Sequence, residues 1–455
     1  MSVPSFDRKI GLETYVTKSQ GIDGLIKKEI EDFVVEEILA DGSRAQVSGT
    51  LPQRVLGSTH QRQRFLLCVL IKRGWDTFIA VKNVAKQLGI DQGMIQVGGI
   101  KDARALTAQH ITIDGGKVED VSRIQIKDIS LHPVGYVREA LSAYYLQGNH
   151  FTIRIRGLLR SKSIAEEYAA QTMQELESAG GVPNFYGHQR FGTIRPITHL
   201  VGKEIIQGNF EGAAMLFLAQ PSPEEHPHGR QARQQLQETR DFKQALDAFP
   251  KQLRFERIML LHLNKNPTDF LGAFQRLPMK LQELFVQAHQ SFLFNRFLSG
   301  RLAHGYALNR AIEGDFVVGV ERSGLPMTRS ARTVSSQSLA AVNEQVKGGK
   351  IRVALPIVGL RPKLSFGAMG DIEREILDWE GIPQSGLRVN PLSFVGGKGG
   401  LRAAVSPISD FKFNVVPSAD AGYEADLSFM LQRGCYATAF LREIMKPENP
   451  LEAGF

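Results

Sequence analysis

The sequence predicts an α+β fold with much antiparallel strand pairing, and three observations indicate it. Segments such as "AQHITI" (108–113) and "HFTIRIRGL" (150–158) alternate apolar and polar residues, as half-buried strands do. Residues 163–179 place apolar side chains at helical spacing, and residues 204–298 are mainly helical in pattern. Because strands and helices do not alternate regularly along the chain, a series of βαβ units is not predicted.

The first 160 residues supply most of the predicted strands. In chain order the candidates are "EDFVVEEIL" (31–39), "RFLLCVLIKRG" (64–74), "GMIQVGGI" (93–100), "AQHITI" and "HFTIRIRGL". After the second strand, "FIAVKNVAKQL" predicts a helix that Asp76 or Thr77 would cap and that Gly89 would end. One face of this helix would carry Phe78, Val81, Val84 and Leu88.

The rest of the chain is helical first and stranded towards its end. Within the helical stretch, residues 221–235 predict a polar loop. The Ser-, Arg- and Gly-rich residues 322–350 predict an exposed loop or hairpin. The final segment predicts two strands, "DFKFNVV" and "ADLSFML", and then the helix "YATAFLREIM". The change of character near residue 205 indicates two structural regions.

Length and composition restrict the class of protein. The 455 residues are many for one core, and the net charge of +8 favours an acidic partner such as nucleic acid. Cys68 and Cys435 form no CxxC pair, so neither a zinc ribbon nor a disulfide framework is supported. The N-terminus lacks a signal-peptide core, and no apolar run is long enough to span a bilayer. We therefore expect a cytoplasmic protein without membrane contact; the sequence indicates no oligomeric state.

The common metal and cofactor motifs are not found in the sequence. "GGKGG" (396–400) lacks the spacing of a P-loop and has no Ser or Thr after its lysine. His226 and His228 lie beside two glutamates, but a solvated loop explains this weak metal pattern better. The sequence therefore predicts no metal and no nucleotide or redox cofactor.

Two short stretches carry candidate chemistry. "GGIKDARALTAQ" (98–109) places Asp102 where a strand gives way to a turn, and Asp102 fits a turn or cap residue as well as a reactive carboxylate. "NFYGHQRFG" (184–192) holds Tyr186 and Arg190 on a tight loop. There an aromatic ring can stack on a base and an arginine can donate to phosphate, although core packing and an ion pair explain the same pattern.

Six stretches in order resemble the motifs of the TruD family of pseudouridine synthases. They are "LIKKEIEDFVVEEI" (25–38), "GGIKDARALTAQ" (98–109), "LQGNHFTIRIR" (146–156), "NFYGHQRFG" (184–192), "VQAHQSFLFNRFLS" (286–299) and "LSFMLQRGCYATAFLREI" (427–444). In addition, "TIRPITHLVGK" (193–203) resembles the archaeal-type branch.

The resemblance implies a two-domain architecture. Residues 1–205 and 401–455 would form the pseudouridine synthase catalytic domain around a mixed, mainly antiparallel sheet. Residues 206–400 would form an inserted α/β TRUD domain. The cleft between the domains is the expected RNA groove, where lysines and arginines would contact phosphates.

The resemblance also implies the reaction, which converts a uridine of tRNA, most often at position 13 in the D arm, into pseudouridine. The uracil is detached, turned and rejoined to the ribose through C5, after the nucleotide has been flipped into a pocket. The family requires no cofactor. Asp102 would be the essential carboxylate, and Lys27 would lie beside it and keep it ionised. Lys101 would contact phosphate or structure and has no expected catalytic role.

The remaining site residues follow from the same motifs. Tyr186 would stack on the uracil, and the substrate-binding residues implied by the resemblance are Asn184, Tyr186, Tyr436, Phe33 and Glu37. Of these, Phe33 and Glu37 would support the N-terminal side of the pocket.

Three positions depart from the family pattern. Ile30 stands where proline is frequent, Tyr186 replaces the usual Phe, and Arg402 is a single arginine where members often carry two. A tyrosine still stacks on a base. The alternative function is a non-catalytic RNA-binding or RNA-chaperone protein of the same fold. A metal-dependent RNA hydrolase lacks a ligand set.

Overall fold

Strands near both ends of the chain build the principal sheet of this computed structural model, which describes residues 2–51, 55–387, 397, 399–418 and 422–455. The strands are Phe33–Leu39 (β1), Phe65–Arg73 (β2), Ile95–Val97 (β3), Leu106–Asp114 (β4), Ile129–Val137 (β5), Leu146–Leu158 (β6), Val182–Pro183 (β7), Phe316–Val320 (β8), Pro326–Thr333 (β9), Ile351–Ile357 (β10), Gly400–Ala403 (β11), Val405–Ser406 (β12), Ile408–Pro417 (β13) and Tyr423–Gln432 (β14).

Helices follow the strands of the first region and dominate the second. They are Ser5–Lys9 (α1), Thr77–Leu88 (α2), Val118–Val121 (α3), Lys162–Ser178 (α4), Thr198–Ile206 (α5), Phe210–Ala219 (α6), Pro227–Thr239 (α7), Phe242–Ala248 (α8), Arg254–Leu263 (α9), Phe270–Gln275 (α10), Met279–Ala303 (α11), Leu339–Lys347 (α12), Gly367–Trp379 (α13) and Ala437–Met445 (α14). Among the described residues, none of these helices has the length and apolar character needed to cross a membrane.

The principal sheet confirms the expected mixed, mainly antiparallel pairing. Its strand order is β13-β14-β6-β1-β4-β2-β5, with β3 paired to β4. Only β1 and β4 run parallel among the pairs of described strands in this sheet. Because β14 pairs with β6, the last part of the chain completes the sheet that the first 158 residues begin.

The structure confirms the predicted caps of α2 but corrects its predicted apolar face. The Asp76 side chain accepts hydrogen bonds from the backbone N–H groups of Phe78 and Ile79, and Gly89 ends the helix at φ 66°. The predicted apolar face is wrong at Phe78, which is 47% exposed. The helix instead buries a stripe formed by Ala80, Val81, Val84 and Ala85.

The second region contains α6 to α13 and a sheet of order β11-β10-β8-β9, whose pairs are antiparallel. The polar loop expected at 221–235 is wrong, because most of it belongs to α7. Pro227 begins this helix, and its buried Arg233 pairs with carboxylates, so a polar sequence folds as a half-buried helix. Residues 322–350 contain β9, the second strand of the β8–β9 hairpin, and its exposed side chains agree with the expected exposed hairpin. The same residues also contain α12, which the sequence did not predict.

One apolar core extends through both regions. It joins residues of the principal sheet such as Phe151 to Tyr186, to Phe294 of α11 and to Val353 of β10. The helix α11 therefore packs directly beneath the loop that carries Tyr186. The domain bounds at residues 205 and 400 stay a prediction, and residues 395, 396 and 398 of the glycine cluster lie outside the described residues.

Candidate functional site

The Asp102 loop (residues 98–105) joins β3 to β4 and is held from below by Lys72. Lys72 lies in β2 and is fully buried, and its Nζ donates to the backbone oxygens of Trp75 and Asp102, each at 2.7 Å. Burial lowers the pKa of Lys72 to about 8, against the opposing charges of Asp102 and Asp76. The backbone position of the candidate carboxylate is therefore fixed by a buried cation.

Lys101 points away from the candidate carboxylate and into the sheet. Its Nζ donates to Glu37 Oε1 at 2.6 Å, and Glu37 Oε2 accepts from the backbone N–H of His110 at 2.9 Å. Burial favours the neutral form of Glu37, but Lys101 and His110 outweigh it and lower the pKa of this carboxyl. Lys101 thus has a structural contact, as expected, and Glu37 supports the Asp102 loop from a fully buried position.

Lys27 lies on the same cavity as Asp102. The cavity has a volume of about 410 Å³, and residues on its wall include Lys27, Asp102, Arg104, Gln189, Leu451, Gly454 and Phe455. The Nζ of Lys27 lies 4.6 Å from the ring centroid of Phe33, which is buried beneath it. Burial lowers the pKa of Lys27, the charge of Asp102 opposes this change, and Arg104 adds to it.

The Tyr186 loop (residues 184–191) begins at Asn184, which links it to β11. Asn184 donates from its backbone N to Ala404 O and from Nδ2 to Ala403 O. Arg402 donates from Nε to Asn184 O at 2.8 Å and from Nη2 to Asn184 Oδ1 at 2.6 Å. The single arginine of the glycine-rich motif therefore orients the candidate asparagine.

The Tyr186 ring is 8% exposed and is surrounded by aromatic and cationic groups. Its centroid lies 5.6 Å from that of Phe294 and 5.9 Å from that of Tyr436. The guanidinium carbons of Arg402 and Arg190 lie 4.2 Å and 5.5 Å from the same centroid. Burial raises the pKa of Tyr436, and these two arginines oppose the change. Guanidinium groups thus lie over the ring that is expected to stack on a base.

The two loops meet at Gln189, whose Nε2 donates to Asp102 Oδ1 at 3.3 Å. This contact connects the loop of Tyr186 to the candidate carboxylate. The structure therefore brings Lys27, Asp102 and the Tyr186 loop together, while Phe33 and Glu37 support them from below. Tyr186 and Tyr436 are not on the wall of the Asp102 cavity, and Asn184 and Arg402 line a second cavity of about 170 Å³. A carboxylate that shares a cavity with a buried ammonium suits acid–base or nucleophilic chemistry.

Several supporting residues were missed by the sequence reasoning. Lys72 could have been noticed as a lysine inside an apolar strand. Asn295 of α11 is fully buried and bonds both backbone groups of Tyr186, accepting from N at 2.9 Å and donating to O at 3.1 Å. No local pattern indicates that pairing.

A buried charge cluster holds the other end of the Tyr186 loop. Asp7 accepts from His188 Nε2 at 2.7 Å and from Arg442 Nε. The His188 ring also contacts that of Phe455, at 5.3 Å between centroids. Residues from both ends of the chain therefore position this loop. Among the described residues, no group of three or more His, Cys, Asp or Glu side chains could hold a metal ion.

Comparisons with known proteins agree over nearly the whole chain. The family model described as tRNA pseudouridine synthase D (TruD) matches residues 9–444. A protein of Methanosarcina acetivorans named "Probable tRNA pseudouridine synthase D" is 38% identical over 454 residues, which cover 99% of each chain. One of the same name from Thermococcus sibiricus is 37% identical and covers 95% of this chain and 97% of its own.

A solved structure shows the same architecture. The crystal structure of a "Putative tRNA pseudouridine synthase D (TruD)" from Methanosarcina mazei has a TM-score of 0.81 and 37% identity, and covers 98% of this chain and 99% of that one. These three organisms are archaea, in line with the branch that residues 193–203 resemble.

Proposed function

The chain belongs to the TruD family of tRNA pseudouridine synthases, and we propose that it isomerises the uridine at position 13 of the tRNA D arm, with Asp102 as the essential carboxylate. That it is a pseudouridine synthase acting on tRNA follows from family membership over the whole chain. The proposal adds the target nucleotide, the base flipping and the roles of individual residues.

One observation carries the proposed roles. Asp102 and Lys27 line one cavity, and Gln189 connects Asp102 to the loop of Tyr186. The buried Lys27 shares this cavity with Asp102, and the reaction needs the carboxylate in its ionised form whether it attacks the nucleotide or accepts a proton. A base within a paired arm cannot reach such a cavity while it is stacked, so the nucleotide must be flipped out.

The remaining candidates would act from the Tyr186 loop and from beneath the Asp102 loop. Tyr186 would stack on the uracil, with Tyr436 beside it, and Asn184 would be oriented for this by Arg402. Phe33 and Glu37 would act from below, by supporting Lys27 and the Asp102 loop. Since Arg402 and Arg190 lie over the Tyr186 ring in the free protein, the base would have to displace a guanidinium.

The substitution Asp102→Asn tests the proposal. It keeps the size of the side chain and removes its charge, so we expect tRNA binding within about twofold of wild type and a loss of conversion beyond about a thousandfold. Carbodiimide treatment and primer extension on a tRNA transcript measure the conversion, and a transcript with cytidine at position 13 is the control for the target.

Two outcomes would contradict the proposal. Appreciable product from the Asp102→Asn enzyme would remove the carboxylate from the mechanism. Binding of tRNA by the wild-type chain without conversion of any uridine would favour the non-catalytic RNA-binding alternative.

A further inference from the structure

Arg190 is a partly buried cation that has no carboxylate partner among the described residues. It follows Gln189 in the Tyr186 loop, and its guanidinium carbon lies 5.5 Å from the Tyr186 ring centroid. Within the described part of the chain, no carboxylate forms an ion pair with it and no acceptor bonds its side chain. Its Nε is buried and has no hydrogen-bond partner there. The ion pair that the sequence allowed for Arg190 is therefore not formed with any described carboxylate.

The fully buried arginines of the described structure are all paired. Arg233 pairs with two glutamates, Arg301 with Asp315, and Arg442 with Asp7. Removing a guanidinium from water without supplying acceptors is costly, so buried arginines are normally satisfied. Arg190 is only partly buried, but its Nε is buried without an acceptor, as are those of Arg160 and Arg296. Unlike those two, Arg190 forms no ion pair within the described residues, so its donors at the candidate active site are available to a ligand.

The position of Arg190 identifies the part of the ligand that it would meet. On the proposed function, on which this inference rests, the uracil lies on Tyr186 and the ribose beside Asp102. Gln189, the preceding residue, already donates to Asp102. The remaining part of that nucleotide is its phosphate, which is anionic and matches the planar fork of a guanidinium.

We propose that Arg190 binds a phosphate of the target nucleotide. In the free protein its guanidinium rests near Tyr186 and donates no side-chain hydrogen bond to a described residue, whereas Arg402 is held there by Asn184 and Gly434. Arrival of the uracil displaces the unheld guanidinium, which then pairs with the phosphate. A single movement of the Arg190 side chain thus uncovers the Tyr186 ring for the uracil and pairs the guanidinium with the phosphate.

The salt dependence of tRNA binding tests this role. Arg190→Met should weaken the Kd about tenfold at low salt. It should also reduce the slope of log Kd against log[KCl] by about one, because one phosphate contact is lost. Arg190→Lys should keep most of the slope, because it keeps the charge. The control Arg123→Met removes an exposed arginine after α3 and should leave the Kd and the slope unchanged.

A neutral phosphate gives the decisive comparison. With methylphosphonate linkages flanking the uridine, wild type and Arg190→Met should bind the RNA equally, and a remaining difference would overturn the proposal. An unchanged salt slope in Arg190→Met would also overturn it and assign the donors to the uracil or to packing.

Thermal unfolding of both Arg190 variants verifies that they fold, and the neutral, polar Arg190→Gln carries the test if Arg190→Met does not fold. These measurements report the affinity for tRNA, so their outcome does not depend on whether the wild-type enzyme converts the uridine at position 13.

Discussion

The Asp102 loop and the Tyr186 loop meet in one site, but they are held in different ways. Glu37 of β1, Lys72 of β2 and Thr77 just after β2 hold the Asp102 loop through contacts that join residues 24 to 64 positions apart. The side-chain hydrogen bonds that tie the Tyr186 loop to Asp7, to α11 and to β11 join residues 109 to 219 positions apart. The first loop is thus a product of one part of the sheet, and the second depends on the whole folded chain.

This difference predicts which property, the chemical step or the stability, a substitution in each region should change first. Substitutions in the sheet beneath Asp102 should alter the chemical step with little effect on the rest of the molecule. Substitutions at the chain ends should reach the Tyr186 loop through the global fold, and they should lower stability before they change the chemical step.

Asp7→Asn should have the largest effect on stability. Asp7 is fully buried between His188 and Arg442. Burial opposes its charge, but Arg442 and His188 outweigh it and lower the pKa of this carboxyl. Loss of the charge leaves Glu443 as the only described carboxylate paired with the buried Arg442, and the free energy of unfolding should fall by about 3 kcal/mol. Urea unfolding measures the loss.

An exposed ion pair supplies the control for Asp7. Glu31 and Arg73 form a pair at the surface, with side chains 50% and 44% exposed, and Glu31→Gln should cost less than about 0.5 kcal/mol. If Asp7→Asn costs no more than this control, the chain-end cluster does not hold the Tyr186 loop, and the comparison between the loops fails.

Local patterns predicted the surroundings of the first loop better than those of the second, for the same physical reason. Strand β2 and the caps of α2 follow from such patterns, whereas the candidate residues Asp102, Lys27 and Tyr186 came from the resemblance. Even there, Lys72 was overlooked, because a lysine near a strand end normally extends into water.

The supports of the Tyr186 loop lie too far away in the chain to be paired by pattern. Nothing in the sequence distinguishes Asn295 from other polar residues of α11, and only the folded structure shows its amide bonded to the backbone of Tyr186. The same holds for α7, whose polar sequence predicted a loop because the carboxylates that pair with Arg233 could not be identified in advance.

Lys72→Met should have the next largest effect and should act on catalysis. It removes the donor to the backbone oxygens of Trp75 and Asp102, so the carboxylate loses its fixed position. We expect kcat to fall about thirtyfold with KM for tRNA within about twofold, since no tRNA-contacting group is removed. The control Lys82→Met, on the exposed side of α2, should change neither constant. A rise in KM at constant kcat would contradict a positioning role.

The same variant has a pH signature. The pKa of Lys72 is about 8 in the folded protein and 10.5 ordinarily. Between these values the unfolded chain holds a proton that the folded protein has released, so unfolding takes up a proton and stability rises with pH. Wild type should therefore gain stability relative to Lys72→Met as the pH rises above 8, and urea unfolding on either side of that pH measures the gain. A constant difference would show that Lys72 does not titrate in this range.

Phe455→Leu should have the smallest effect, and it tests whether one segment serves both loops. The backbone N–H of Ile26, next to Lys27, donates to Ala453 O at 2.9 Å. Two residues further on, the 4% exposed Phe455 ring contacts His188 and lines the cavity of Asp102.

Leucine keeps most of the apolar volume of Phe455 and loses the ring contact. The substitution should cost about 1 kcal/mol of unfolding free energy, and kcat/KM should fall about threefold. Phe366→Leu, at a side chain that is 64% exposed, is the matched control and should cost less than about 0.5 kcal/mol. Equal costs for the two leucine variants would show that the segment around Phe455 only covers the cavity, and that the two loops are positioned independently.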